Sequence, residues 1–171
     1  MVMNDDGFRC GLGLYVFADR ALIPTIKQVE SGQYIDGEPC AVVDYRDEKA
    51  LLGALKRAFE LGNPTIPDST LDESRKRPII QRVAGAKSWV DLERHSIYFS
   101  IECWDSEFVV TSEGRASDGS WNREGSYLLE MHIPVAEGIE AVTKSVLDHL
   151  KTRKDLPGQA FGEQQKTARG A

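Results

Sequence analysis

Cysteine is scarce in this chain: Cys10, Cys40 and Cys103 are an odd number, spread over separate segments. None falls in the Cys-x2-Cys spacing of a zinc site or a redox motif. Buried reduced thiols are therefore expected, since a free cysteine behaves as a small core residue. No apolar run approaches the roughly 18 residues that a membrane span needs. The opening segment, Met1-Val-Met-Asn-Asp-Asp-Gly7, is acidic where a secretory signal is basic. A cytoplasmic protein with no membrane partner is the expectation.

Catalytic patterns are missing too. His95, His132 and His149 are the only histidines, and they fall in separate segments with no third group spaced to make a triad. Gly11-Leu-Gly13 precedes an apolar run that reads as a strand, whereas a phosphate-cradling loop follows a strand and opens a helix. Ser74-Arg-Lys-Arg77 is balanced by Asp68, Asp72 and Glu73 just upstream, which reads as a solvated loop rather than a nucleic-acid contact. No activated nucleophile, metal-ligand set or cofactor loop is present, so no catalytic, cofactor-binding or metal residue is assigned.

What is abundant is negative charge. Residues 1–150 carry 25 Asp and Glu against 16 Lys and Arg, while residues 151–171 carry five basic and two acidic residues. An acidic body points away from nucleic acid and toward a basic partner, because long-range attraction speeds encounter and like charge suppresses the wrong one. At 171 residues the chain is long enough to bury roughly two thirds of its unfolded surface without disulfide or metal staples.

Local patterning predicts an α+β fold of a single domain, residues 1–154, with a mainly antiparallel sheet packed by two longer helices. Strands are expected at 12–17, 22–29 and 40–44. Asp47 stands where an N-cap belongs, and Leu51, Leu52, Leu55, Ala58 and Phe59 recur at helical spacing before Gly62 and Pro64, giving a helix over 48–61. Residues 63–77, polar and holding two prolines, read as a long connector. Pro78 leads a short apolar helix ending at Gly85, and Ser88-Trp-Val-Asp91 has the form of a capping box; short helices are thus expected within 78–94. Strands follow at 97–104, 108–111 and 126–133, with turns at Asp105-Ser-Glu107 and Asp118-Gly119. Ile139, Val142, Val146 and Leu150 define an amphipathic helix over 135–151. Both halves read as three strands closed by a helix. Residues 155–171 hold few apolar anchors and read as a flexible tail.

One region combines acids with aromatics. Between 102 and 121 lie Glu102, Trp104, Asp105, Glu107, Glu113, Asp118 and Trp121, against a single cation before position 119, Arg115. Carboxylates around tryptophan suit a surface that grips Lys and Arg side chains. The competing reading makes Trp104 core and the acids the wet edge of a sheet.

The segment Lys76-Arg-Pro-Ile-Ile-Gln-Arg-Val-Ala-Gly-Ala-Lys-Ser-Trp-Val-Asp-Leu-Glu93 resembles the middle of bacterial immunity proteins of contact-dependent growth inhibition systems, and Asp118-Gly-Ser-Trp121 is similar to their later signature. The resemblance spans about residues 45–150. It implies a small cytoplasmic protein that binds the C-terminal toxin domain of an inhibition effector, a basic domain expected to be a nuclease, and blocks it by steric and electrostatic occlusion. It implies no catalytic residue and transfers no contact position. Two other readings stay open at this level: an acidic adaptor or chaperone unrelated to toxins, and a small enzyme pairing His132 with Asp or Glu.

Overall fold

The computed structural model describes residues 7–123 and 126–156. Three strands open the chain: β1 (Phe8–Val16), β2 (Ala21–Val29) and β3 (Tyr34–Val43), followed by helix α1 (Glu48–Leu61). Then come a two-residue strand β4 (Thr65–Ile66) and helices α2 (Thr70–Lys76), α3 (Ile79–Ala84) and α4 (Trp89–His95). The second half runs β5 (Ile97–Trp104), β6 (Glu107–Ser112), a small hairpin β7 (Gly114–Arg115) and β8 (Trp121–Asn122), then β9 (Leu129–Pro134), a 3-10 turn over Val135–Glu137 and α5 (Gly138–Thr152).

The main sheet has the order β3-β2-β1-β5-β6-β9, and neighbours along it are antiparallel. β1 and β5 form its centre, so the two halves meander outward from one shared pair. This mixed α and β single-domain architecture, with a large antiparallel sheet and two long helices, is the one the patterning indicated.

Alternation explains the layers, because successive strand residues point to opposite faces. Leu12, Leu14 and Val16 of β1, Phe99 and Ile101 of β5 and Phe108 and Val110 of β6 are buried with Leu51, Leu55, Val142, Val146 and Leu150 of α1 and α5. The intervening residues face the other way. There Tyr15 and Leu22 pack with Ile80 of α3 and Leu92 of α4 in a second, smaller cluster. The second face is thus covered at one end only.

Helix ends follow the sequence closely. Asp47 accepts the Ala50 N–H at 3.1 Å, and Gly62, at φ 62°, closes α1 by donating to the Ala58 and Phe59 carbonyls. Asp47→Ala is expected to cost about 1 kcal/mol, the usual value of such a cap, read as a lower urea midpoint with unchanged slope. The Ser88 hydroxyl accepts from Asp91 N–H at 3.1 Å, while the Asp91 carboxylate takes the Lys87 N–H, one residue before the donor a strict capping box uses.

Four expectations need correction. Residues 63–77 are not a bare connector: β4 pairs in parallel with β2 and α2 follows it, because β2 leaves an unpaired flank. β1 pairs with β2 only at Tyr15–Leu22 and Val16–Ala21, and Pro24, which has no N–H, precedes a register shift in β2. Asn63 bridges the resulting split. Its carboxamide accepts from Gly11 N–H at 2.8 Å and donates to the Gly11 and Ile26 carbonyls at 2.9 and 3.0 Å.

The last helix begins at Gly138 rather than 135, and the strand expected from 126 begins at Leu129, since Tyr127 takes a left-handed φ of 70°. Packing also continues past the anticipated start of the tail. Asp155 and Leu156 are held in the body, with Leu156 3 % exposed; residues 157–171 lie outside the described residues.

Candidate interaction face

Opposite the α1–α5 layer, β5, β6 and β9 present an open face whose composition follows from strand register. Tyr98, Ser100, Glu102 and Trp104 alternate outward along β5, being half-buried between fully buried neighbours. The β5–β6 and β6–β9 registers then set Glu102 beside Val109 and Val109 beside His132, and Ser100 beside Thr111 and Thr111 beside Glu130. Across the centre, Gly11 stands opposite Glu102 and Gly13 opposite Ser100. The small residues Gly11 and Ser100 leave a trough of about 400 Å³ over the β1–β2 split, walled by Phe8, Tyr34, Tyr98 and Trp104.

The walls are mutually braced. Trp104 meets Phe8 edge-on at 5.3 Å between ring centroids, and Phe8 meets Tyr34 at 6.1 Å. Glu102 is tethered in the trough by the Trp104 indole N–H, which donates to its carboxylate at 3.2 Å. At the far end Tyr98 stacks on Trp121 at 5.4 Å and leans on Tyr15 at 4.8 Å. The Tyr15 hydroxyl donates to Asp36 at 2.6 Å. Burial pushes the Asp36 carboxyl above its ordinary value despite that hydrogen bond, and burial lifts the Tyr98 phenol to about 12.

His132 sits on β9 between two carboxylates, with Nδ1 3.0 Å from Glu107 and Nε2 3.1 Å from Glu130. Both ring nitrogens can donate only in the imidazolium, so the hydrogen bonds to Glu130 and then Glu107 raise its pKa above 6.5. A folded-state pKa raised in this way contributes stability below the ordinary value, and that contribution is lost as pH rises through the raised one. NMR titration of the His132 ring should therefore show an elevated midpoint. Replacing Glu107 and Glu130 together by Gln should return it toward about 6.5. The group lies on an exposed edge strand, without the enclosure that general acid–base chemistry uses.

The seven residues of the acidic and aromatic region separate into three sets. Glu102, Trp104 and Glu107 share the open face, and Glu113 continues it at the Tyr98–Trp121 end, facing the exposed Arg123 at 3.6 Å. Asp105 occupies the β5–β6 turn at the rim and is paired with Arg9 at 2.7 Å. Asp118 and Trp121 serve the local structure. Asp118 takes the Ser120 N–H and hydroxyl and so tightens the β7–β8 turn, while Trp121 packs in the second cluster with its indole N–H on the Ser96 carbonyl. Sequence reasoning missed Phe8, Tyr34, Tyr98 and the glycine floor.

Elsewhere some acidic residues are ion-paired, as in Asp44 with Arg46, Glu38 with Arg82 and Glu140 with Lys56, and others, such as Glu30, Glu48, Glu60 and Glu137, have no salt-bridge partner among the described residues. Of the described residues, no cation lies within salt-bridge range of Glu102, and Glu107 and Glu130 face only an imidazole. What sets the open face apart is that its unpaired carboxylates adjoin a wall of aromatic rings. Among the described residues no cluster of three or more His, Cys, Asp or Glu is arranged to hold a metal ion, and no helix is long and apolar enough to cross a membrane. Cys10 and Cys103 face each other across β1 and β5 in the core as free thiols, and burial lifts Cys10 to about 11.

Beneath one end of this face lies a buried ion network. Arg153, 2 % exposed, grips Asp155 with two hydrogen bonds of 2.7 and 2.6 Å, and its remaining nitrogen reaches the Ser112 hydroxyl and Glu113 carbonyl. Arg115 approaches the same carboxylate at 3.0 Å and donates to the carbonyls of Glu93, Ser96 and Gly119. One carboxylate so joins the end of α5 to the β6–β7 segment and to the end of α4.

The class these features define is a helix-backed antiparallel sheet with one face left partly open. No family model matches the sequence, and no curated protein matches it. Among solved structures the fold is similar to a protein of unknown function from Neisseria meningitidis, with a TM-score of 0.58 at 12% identity over 90% of this chain and 100% of that one. It is also similar to a chain of the CdiA-CT/CdiI toxin and immunity complex from Yersinia pseudotuberculosis, with a TM-score of 0.53 at 11% identity over 81% of this chain and 95% of that one. At these identities the likeness shows a shared fold.

Proposed function

We propose that this chain is an immunity protein that binds and neutralises the toxin domain of a contact-dependent growth inhibition effector in the cytoplasm, by occlusion and without bond-making chemistry of its own. The observation that carries the reading is the open face, where Glu102, Glu107 and Glu130 stand without a Lys or Arg partner among the described residues, beside a wall of aromatic rings. A toxin that acts on nucleic acid needs a basic surface to hold phosphates. An acidic, aromatic surface can occupy that same footprint, with aromatic anchors supplying affinity and carboxylates supplying register and encounter rate. The fold likeness to a chain of a toxin and immunity complex supports the same reading.

Co-expression tests it. A toxin domain encoded beside this chain should arrest growth when expressed alone, grow normally when this chain is co-expressed, and co-purify with it in a stable complex. Growth arrest that persists while the folded chain accumulates would refute the proposal.

A further inference from the structure

We infer that the trough over the β1–β2 split is a receptor for one arginine side chain of the partner protein; the identity of that partner rests on the function proposed above. The trough is built to stay open. Gly11 lies in its floor between Phe8 and Leu12, and a side chain added there would grow into the trough against the Phe8 ring, 3.7 Å from its Cβ. Asn63 fastens the Gly11 backbone from both its N–H and its C=O, so the floor does not collapse onto β2.

Its chemistry selects a planar cation. Glu102 is a carboxylate with no cationic partner among the described residues, and the indole hydrogen bond to one of its oxygens fixes its position while leaving the other oxygen available. Flanking it, Trp104 and Tyr34 are held edge-on to Phe8, and Tyr34 is 47% exposed. A guanidinium stacks on aromatic faces and meets a carboxylate through its planar fork, whereas an ammonium is a compact, strongly hydrated charge that forfeits the stacking. Anionic ligands are repelled by Glu102 and by Asp36 behind the Tyr15–Tyr98 pair.

The test uses the full chain labelled with 15N and the peptide acetyl-Gly-Arg-Gly-amide, with its lysine and citrulline counterparts as controls. The arginine peptide should give saturable shifts at the Gly11 and Gly13 amides and the Trp104 indole N–H. Citrulline should give none, and lysine binding should be weaker by about tenfold, the scale of a lost stacking contact. Glu102→Gln should abolish the response while the rest of the spectrum is unchanged; Trp104→Leu, which keeps the carboxylate, should weaken it. Equal shifts with the citrulline peptide, or shifts confined to other surfaces, would overturn the inference. Protection from the toxin that Glu102→Gln leaves intact would also overturn it and leave the proposed function standing. Arginine binding in a chain that protects against no toxin would support the receptor and remove the toxin as its occupant.

Discussion

Asp155→Asn should remove about 3–5 kcal/mol of stability, the scale of breaking a buried ion pair, which is a large share of the roughly 5–15 kcal/mol a domain possesses. The reason is geometric. Two guanidiniums, Arg115 and Arg153, converge on one carboxylate whose side chain is 9% exposed. Amidation leaves both cations buried without a counter-charge, and it turns one acceptor oxygen into an NH2 donor that faces a guanidinium. Burial disfavours the charged Asp155, but the hydrogen bonds and charge of Arg153, then the contact with Arg115, outweigh it and hold the carboxyl below its ordinary 3.8. A depressed pKa contributes stability that is complete above the ordinary value and lost as pH falls through the lowered one. The variant should therefore lower the urea midpoint at neutral pH and flatten the acid limb of the stability curve. Asp148→Asn, which breaks an exposed pair with Lys151, should stay within about 0.5 kcal/mol of the parent.

Reversing Glu102, Glu107, Glu113 and Glu130 to Lys together should slow association with the toxin domain by about 10- to 1,000-fold at low salt, the range over which electrostatic steering acts. These four residues lie at outward positions of β5, β6 and β9 or directly after β6. Asp105 is left out because it sits in the β5–β6 turn at the rim and not on the open face. The parent's association rate should fall steeply as salt shortens the screening length to about 10 Å near 0.1 M, and the variant's should not. Reversing Glu48, Glu60, Glu137 and Asp148 on the helical side changes net charge equally. It should leave most of the rate intact, and stopped-flow fluorescence separates the two cases.

Sequence patterning carried the elements that local chemistry decides. Asp47 and Gly62 bracket α1 at its observed ends, and the alternation of Ile97 to Trp104 marks β5 without error. Pairing that depends on distant residues was invisible. Asn63 reads as loop until β1 and β2 are seen not to pair with each other at Gly11 and Ile26, and Asp155 reads as tail until Arg115 and Arg153 are seen around it. The site was half legible. Period-two spacing places Tyr98, Ser100, Glu102 and Trp104 on one face from the sequence alone, so Tyr98 could have been named. Phe8 and Tyr34 join Trp104 only through sheet order, while Asp118 and Trp121 also hold a turn and a cluster, contacts that the sequence did not show.

Titrating the 15N-labelled chain with its toxin domain tests the occlusion proposal most directly. Line broadening and shifts should concentrate at Gly11, Gly13, Glu102, Trp104, Val109 and His132, on the open face. A footprint on α1 and α5, with β5, β6 and β9 unperturbed at saturation, would contradict it.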